Sequence, residues 1–224
     1  LNEINFILNE KESIGIIGES GSGKSSISKC IIGLYYNYNG VIKYKGVNIK
    51  SYGRRALSKE IQLIFQDPYS SLDPKIKVFN HIKSILKFHF NHSNVESETL
   101  AREYLSMVKL DERLFHKFPR QLSGGERQRV IIAAAISLKP KILICDECVS
   151  ALDNSTRFSI LELLIELKKN LKFSMIFISH NLSVVNSMCD KIIVLKNGNI
   201  IENELQSELY KSKNKYVKKL IQSS

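Results

Sequence analysis

An α/β fold with a mostly parallel central sheet is what this sequence predicts, and three observations carry the prediction. Short apolar runs of strand length, at residues 13–17, 61–65, 142–145 and 174–178, are separated by longer stretches of helical periodicity. Each run hands over at its C-terminal end to polar residues: Gly18, Gln66, Asp146 with Glu147, and Ser179 with His180. That end of a parallel sheet is where α/β proteins hold their ligands. The run at 142–145 is also apolar without alternation, as expected of a strand covered on both faces.

Composition narrows the class. A chain of 224 residues is enough for one substantial domain burying roughly 70% of its unfolded surface. No apolar run approaches the roughly 18 to 20 residues that cross a bilayer, since the stretch at 130–138 is cut by Lys139 and Pro140. The opening Leu1-Asn2-Glu3 carries neither a basic leader nor an apolar signal core, and a trimmed start is expected because residue 1 is not Met. Cys30, Cys145, Cys148 and Cys189 are too few and scattered for a disulfide framework, which points to a reducing cytosol. Cys145 and Cys148 form a C-x-x-C, but no second pair or histidine cluster completes a metal site. The net charge of +11 is spread over loops and helix faces without a basic tract or stacking aromatics, so a lysine-rich solvated surface explains it better than nucleic acid.

In chain order, residues 4–8 and 13–17 read as two early strands joined by a polar turn. The second feeds Gly18, Glu19, Ser20, Gly21, Ser22, Gly23, Lys24 and Ser25, which fit G-x-x-x-x-G-K-[ST] at every fixed position, and a helix-like run from Ser26 follows. Glycines let backbone N–H groups curl around an anion, and the helix start adds unpaired amides and the positive end of its dipole. Lys24 supplies a point charge, and Ser25 a hydroxyl suited to magnesium, a hard cation that takes few protein ligands beside phosphate oxygens. Residues 40–44 and 47–49 around Lys45-Gly46 read as a hairpin at the edge of the sheet. Gln66 leaves the strand at 61–65, and Asp67-Pro68 opens a loop.

From 78 to 118 the period becomes helical, with Val78, Ile82, Ile85, Leu86 and Phe90 in one stretch and Leu100, Tyr104, Leu105 and Val108 in another, as in a helical insert. His89 and His92 lie there without acidic or cysteine partners and read as surface residues. Ser123 and Glu126 fit a capping box at the start of the next helix. The box does not explain Gly124 and Gly125, each costing up to about 1 kcal/mol within a helix and suited to close approach of an anion. Asp146 and Glu147 point to opposite sides of the chain, so one carboxylate can serve magnesium and the other a water. The chain then turns through Ser150 to Asp153 into an amphipathic helix. Residues 191–195 and 200–202 form a last hairpin through Asn197-Gly198, giving an antiparallel edge.

Taken together, the Gly18 loop, Gln66, the Leu122 to Glu126 stretch, Asp146-Glu147, Asp153 and His180, in this order, make the sequence similar to the nucleotide-binding subunits of ATP-binding cassette (ABC) transporters over nearly its whole length. The run Phe65-Gln66-Asp67-Pro68-Tyr69-Ser70-Ser71-Leu72-Asp73-Pro74 resembles the importers of peptides and nickel, and the tail from Asn214 to Leu220 is a fainter echo of theirs. The resemblance implies a P-loop NTPase, ATP and Mg2+ as ligands, and a peripheral place on the cytoplasmic face of the membrane. It implies that Gly18 through Ser25, with Ser26, hold ATP, that Ser25, Gln66 and Asp146 organise magnesium, and that Glu147, His180 and Gln66 carry hydrolysis. Ser123, Gly124, Gly125 and Glu126, with Asp153, would face the nucleotide of a second ATPase subunit. Permease subunits and, indirectly, a solute-binding protein are the implied partners. The expected layout is a catalytic core at 1–74 and 123–224 around a helical insert at about 75–122.

Departures matter too. An aromatic residue for adenine is not found upstream of the first strands, Cys148-Val149 replaces the usual Pro-Thr, and the cysteine-bearing extension of some peptide-importer subunits is lacking, so no iron–sulfur cluster is expected. A rival reading, a soluble cassette ATPase acting on nucleic acid or in translation, draws on the basic charge but finds no coiled-coil arm, zinc module or duplicated cassette.

Overall fold

The computed structural model describes residues 1–67 and 71–222. Its elements in chain order are β1 (Ser13–Gly18), α1 (Lys24–Ile31), β2 (Lys43–Tyr44), β3 (Val47–Asn48), α2 (Arg54–Glu60) and β4 (Ile61–Ile64). Then come α3 (Val78–Phe90), α4 (Asn94–Met107), α5 (Gly124–Ser137), β5 (Ile142–Asp146), α6 (Asn154–Leu171), β6 (Ser174–Ile178), α7 (Leu182–Met188), β7 (Lys191–Lys196), β8 (Asn199–Leu205), α8 (Gln206–Leu209) and α9 (Lys215–Gln222).

The central sheet has the order β4-β5-β6-β1-β7-β8, parallel throughout except for β8, which pairs antiparallel with β7. All six residues of β1 and all five of β6 are buried, which accounts for runs that do not alternate. Register brings Ile16 and Asp146 both opposite Ile178, so the C-terminal ends of β1, β5 and β6 lie at one level. Ile64 pairs with Cys145, which carries β4 to the same edge.

Two apolar layers cover the sheet. On one side Ile14, Ile16, Ile144, Ile176, Ile178 and Ile193 meet Ile27 and Ile31 of α1. On the other, Leu143, Cys145, Met175 and Phe177 join a cluster that runs through α5 and α6 into α3 and α4. Val78, Phe79, Ile82 and Leu86 of α3 and Ala101, Tyr104 and Leu105 of α4 belong to that same cluster, so the helical segment shares the core of the sheet.

Two expectations are corrected. Residues 4–8 form no strand: Ile4, Phe6 and Leu8 lean on the apolar layer while Ile7 is exposed, but among the described residues the segment pairs with no strand edge, so a β-rich run alone did not make a ladder. The β2–β3 hairpin is a separate two-stranded sheet and not an edge of the main one.

Candidate functional site

Between β1 and α1 the chain makes a tight loop with Gly23 at φ 106°, a left-handed position open to glycine, and no side chain caps α1. The helix therefore presents its first amides to whatever the loop encloses. Lys24 is only 6% exposed and folds back over the loop, its Nζ donating to Gly18 O at 2.7 Å and Glu19 O at 2.8 Å. Burial holds its ammonium below the ordinary lysine range, and the charges of Glu147 and Asp146 oppose that shift. The Ser22 hydroxyl is buried in the loop and finds no hydrogen-bond partner among the described residues. Such a group is costly unless something enters to meet it. Glu19, Ser20 and Gly21 are exposed on the rim, and Ser26 lies in the first turn of α1.

The β5 carboxylates separate as expected. Asp146, 5% exposed, accepts the Ser25 hydroxyl on Oδ1 at 3.1 Å and the Ser28 hydroxyl on Oδ2 at 3.1 Å. Burial raises its carboxyl above the ordinary range, with the two serines pulling it back. Ser28 was not singled out from the sequence, although Ser25-x-x-Ser28 puts both hydroxyls on one helix face and was a readable signal. Glu147 takes a left-handed φ of 49°, costly by about 1 to 2 kcal/mol for a residue with a side chain. That bend is tied down by Glu147 N donating to Ile178 O and by the Ser150 hydroxyl donating to Glu147 O, both at 2.9 Å. Glu147 Oε2 then accepts Gln66 Nε2 at 2.9 Å, and His180 Nδ1 stands 3.7 Å from Oε1. Gln66, expected in the magnesium shell, is thus bonded to Glu147.

The second glycine pair behaves differently. Ser123 and Glu126 form the expected capping box at α5, with Ser123 N donating to Glu126 at 2.7 Å and Glu126 N to Ser123 Oγ at 3.3 Å. A Cβ on Gly125 would lie 2.4 Å from Thr156 Cγ2, so close packing against α6 explains this glycine without an anion. Asp153 caps α6, accepting Thr156 N at 3.0 Å and Ser155 Oγ at 2.8 Å, and these bonds hold its carboxyl far below the ordinary range. Among the described residues no hydrogen bond or ion pair links Ser123, Glu126 or Asp153 to the phosphate loop. One chain gathers Lys24, Ser25, Asp146, Glu147, Gln66 and His180, and leaves the α5 and α6 starts as a separate pair.

Of the Gln66 loop, Pro68, Tyr69 and Ser70 lie outside the described residues. Leu72 is 6% exposed and packs in the main core. Cys148 and Val149 are buried in that core as well, leaving Glu147 in place.

A phosphate loop beside a hydroxyl–carboxylate pair, with a second carboxylate bonded to an amide and an imidazole 3.7 Å away, defines a nucleotide-hydrolysing P-loop protein. Comparison with known proteins makes the class specific. A family model for ABC transporters matches residues 1–150. The metal-staphylopine import system ATP-binding protein CntD of Staphylococcus aureus is 38% identical over 99% of this chain and 85% of its own length. The oligopeptide transport ATP-binding protein OppF of Lactococcus lactis is 36% identical over 97% of this chain and 70% of its own. Among solved structures, a dimeric post-hydrolysis state of the ATP-binding cassette MJ0796 bound to ADP and Pi superposes with TM-score 0.80 at 30% identity, covering 91% of this chain and 89% of that one. The chain belongs to the ABC transporter family and is an ATP-binding, ATP-hydrolysing subunit of the importer type.

The donors at Ser25 and Asp146 fit magnesium: both are hard oxygens, they meet at the loop's helical end, and the ion asks for few protein ligands.

Proposed function

We propose that this subunit hydrolyses ATP at a composite site shared with a second cassette, and that it drives import of a peptide or a metal chelate through separate permease subunits. The observation that carries the reading is Glu147, turned out of the strand and held between Gln66 and His180 beside the Ser25–Asp146 pair. The loop amides and Lys24 hold the phosphates, and Ser25 and Asp146 hold Mg2+, which when bound neutralises charge on the phosphate oxygens. Glu147 accepts the proton of the water that attacks the γ-phosphorus, Gln66 orients that carboxylate, and His180 contacts the γ-phosphate. The start of α5, with Asp153 nearby, faces the partner's nucleotide, which accounts for a second anion-ready helix start in a chain whose own phosphates have one. Closure of two cassettes head to tail would exclude water and stabilise developing charge. The cargo class rests on relatives named for oligopeptide and metal-staphylopine import, and a solute-binding protein and a peripheral station on the cytoplasmic face belong to the same reading.

The test is a pair of variants. Glu147→Gln keeps the magnesium donors but removes the base, and should slow hydrolysis by about 10² to 10⁴ while trapping an ATP-bound dimer. Ser123→Arg should block closure and leave ATP binding by one chain nearly intact. Light scattering with ATP and the cognate subunit reads both. A Glu147→Gln protein that stays monomeric there, or hydrolyses at the parent rate, would falsify the composite site.

A further inference from the structure

The C-terminal helix α9 has no part in the chemistry proposed above, yet it reaches the phosphate loop. Tyr216, in its first turn, accepts the backbone N–H of Glu19 on its hydroxyl at 3.2 Å, across 197 positions of sequence. The residue is itself tied down through its backbone and its ring. Asn214 Oδ1 accepts Tyr216 N at 2.9 Å, and Ser212 Oγ accepts Asn214 N at 3.1 Å. Lys196 Nζ, at the end of β7, lies 4.6 Å from the ring centroid. Val217 is fully buried, and Leu220 and Ile221 pack on the main core, so α9 is anchored to the body of the molecule. Burial pushes the Tyr216 phenol above its ordinary value.

Glu19 is the second residue of a loop whose left-handed glycines make its backbone permissive. A permissive loop pays an ordering entropy when it closes on a ligand, and an outside contact that fixes one end reduces it. We propose that Tyr216 is a positioning residue for the phosphate loop: α9 acts as a brace that holds the Glu19 end in place and so sets nucleotide affinity, while leaving the chemical step alone. This rests on the reading of residues 18 to 26 as the ATP site.

The test is Tyr216→Phe in the full-length protein, which keeps the ring, its packing and the Lys196 contact and deletes only the hydroxyl. The Kd for MgATP and the KM should rise about 2- to 12-fold, the net value of one hydrogen bond. Saturated turnover should stay within about twofold of the parent and the melting temperature should not move, whereas a merely structural role would lower both. By reciprocity, MgATP should slow amide hydrogen exchange across residues 215–222 in the parent, and less in the variant. Lys24→Ala is the control for the site itself. If the parent binds MgATP, Lys24→Ala does not, and Tyr216→Phe binds like the parent, the brace is overturned while the ATP site stands. If the parent fails to bind, or Lys24→Ala binds equally well, the site reading falls and the brace with it.

Discussion

Asp146 and Glu147 are chain neighbours with opposite surroundings, and the difference is measurable. Asp146 is buried with a raised carboxyl pKa, burial outweighing the Ser25 and Ser28 hydrogen bonds. A carboxyl harder to ionise in the folded state subtracts stability as pH rises from its ordinary value of 3.8 through the folded value, and the full cost is present at neutral pH. Asp146→Asn should therefore melt higher than the parent at pH 7. It should also lose magnesium-dependent hydrolysis. The gain should vanish toward pH 3.8, where the parent residue is neutral too. Thermal melts in chelator across that range check it, and a variant that melts lower at pH 7 would mean the serine bonds outweigh burial. The sequence named both carboxylates, because their place at a strand end is a matter of order along the chain. It carried no sign of the left-handed turn at Glu147 or of the Gln66 bond, which depend on where β4 and β6 lie in space.

At the scale of elements, the starts of α5 and α6 form one packed unit. Gly125 sits where a methyl group would strike Thr156 Cγ2, while Thr156 N is the amide capped by Asp153. Gly125→Ala should destabilise by about 1 to 3 kcal/mol, the usual overpacking range, and Thr156→Ser, which removes that methyl but keeps the capped amide, should recover most of it. Urea denaturation of the two single variants and the double measures the coupling, and additive losses would show that the pair does not touch. Most helices and the parallel strands were legible because apolar period and cap residues are local signals: Ser123 with Glu126 marked the start of α5, and Asn197-Gly198 the turn between β7 and β8. Residues 4–8 misled for the same reason, since a short β-rich run reports local preference and not whether a partner strand is present. The Gly124-Gly125 pair read in the sequence as room for an anion, and only the fold shows that Thr156 also requires glycine at 125.

For the whole molecule, the way the helical segment joins the sheet leaves an open recess at their junction. A cavity of about 560 Å³ opens between α3, α5 and β4, lined by Leu63, Phe65, Ile85, His89, Ile131 and Leu138. It lies beside the strand that leads to Gln66, so a permease element seated there would sense the nucleotide through that side chain. Ile85→Glu should cut transport in reconstituted vesicles at least tenfold while basal hydrolysis and the melting temperature stay near the parent's. Unchanged transport would place docking elsewhere. The strand order has a consequence in time as well as in space. β1 and β5 do not touch; β6 lies between them, and its residues are 174 to 178. A chain emerging from the ribosome thus carries its phosphate loop from residue 18 and its acidic pair from residue 147, but no seat that could align them until β6 has been made and threaded between the two. Both functional strand ends therefore depend on a strand that follows them in the chain, a long-range pairing of the kind that slows folding.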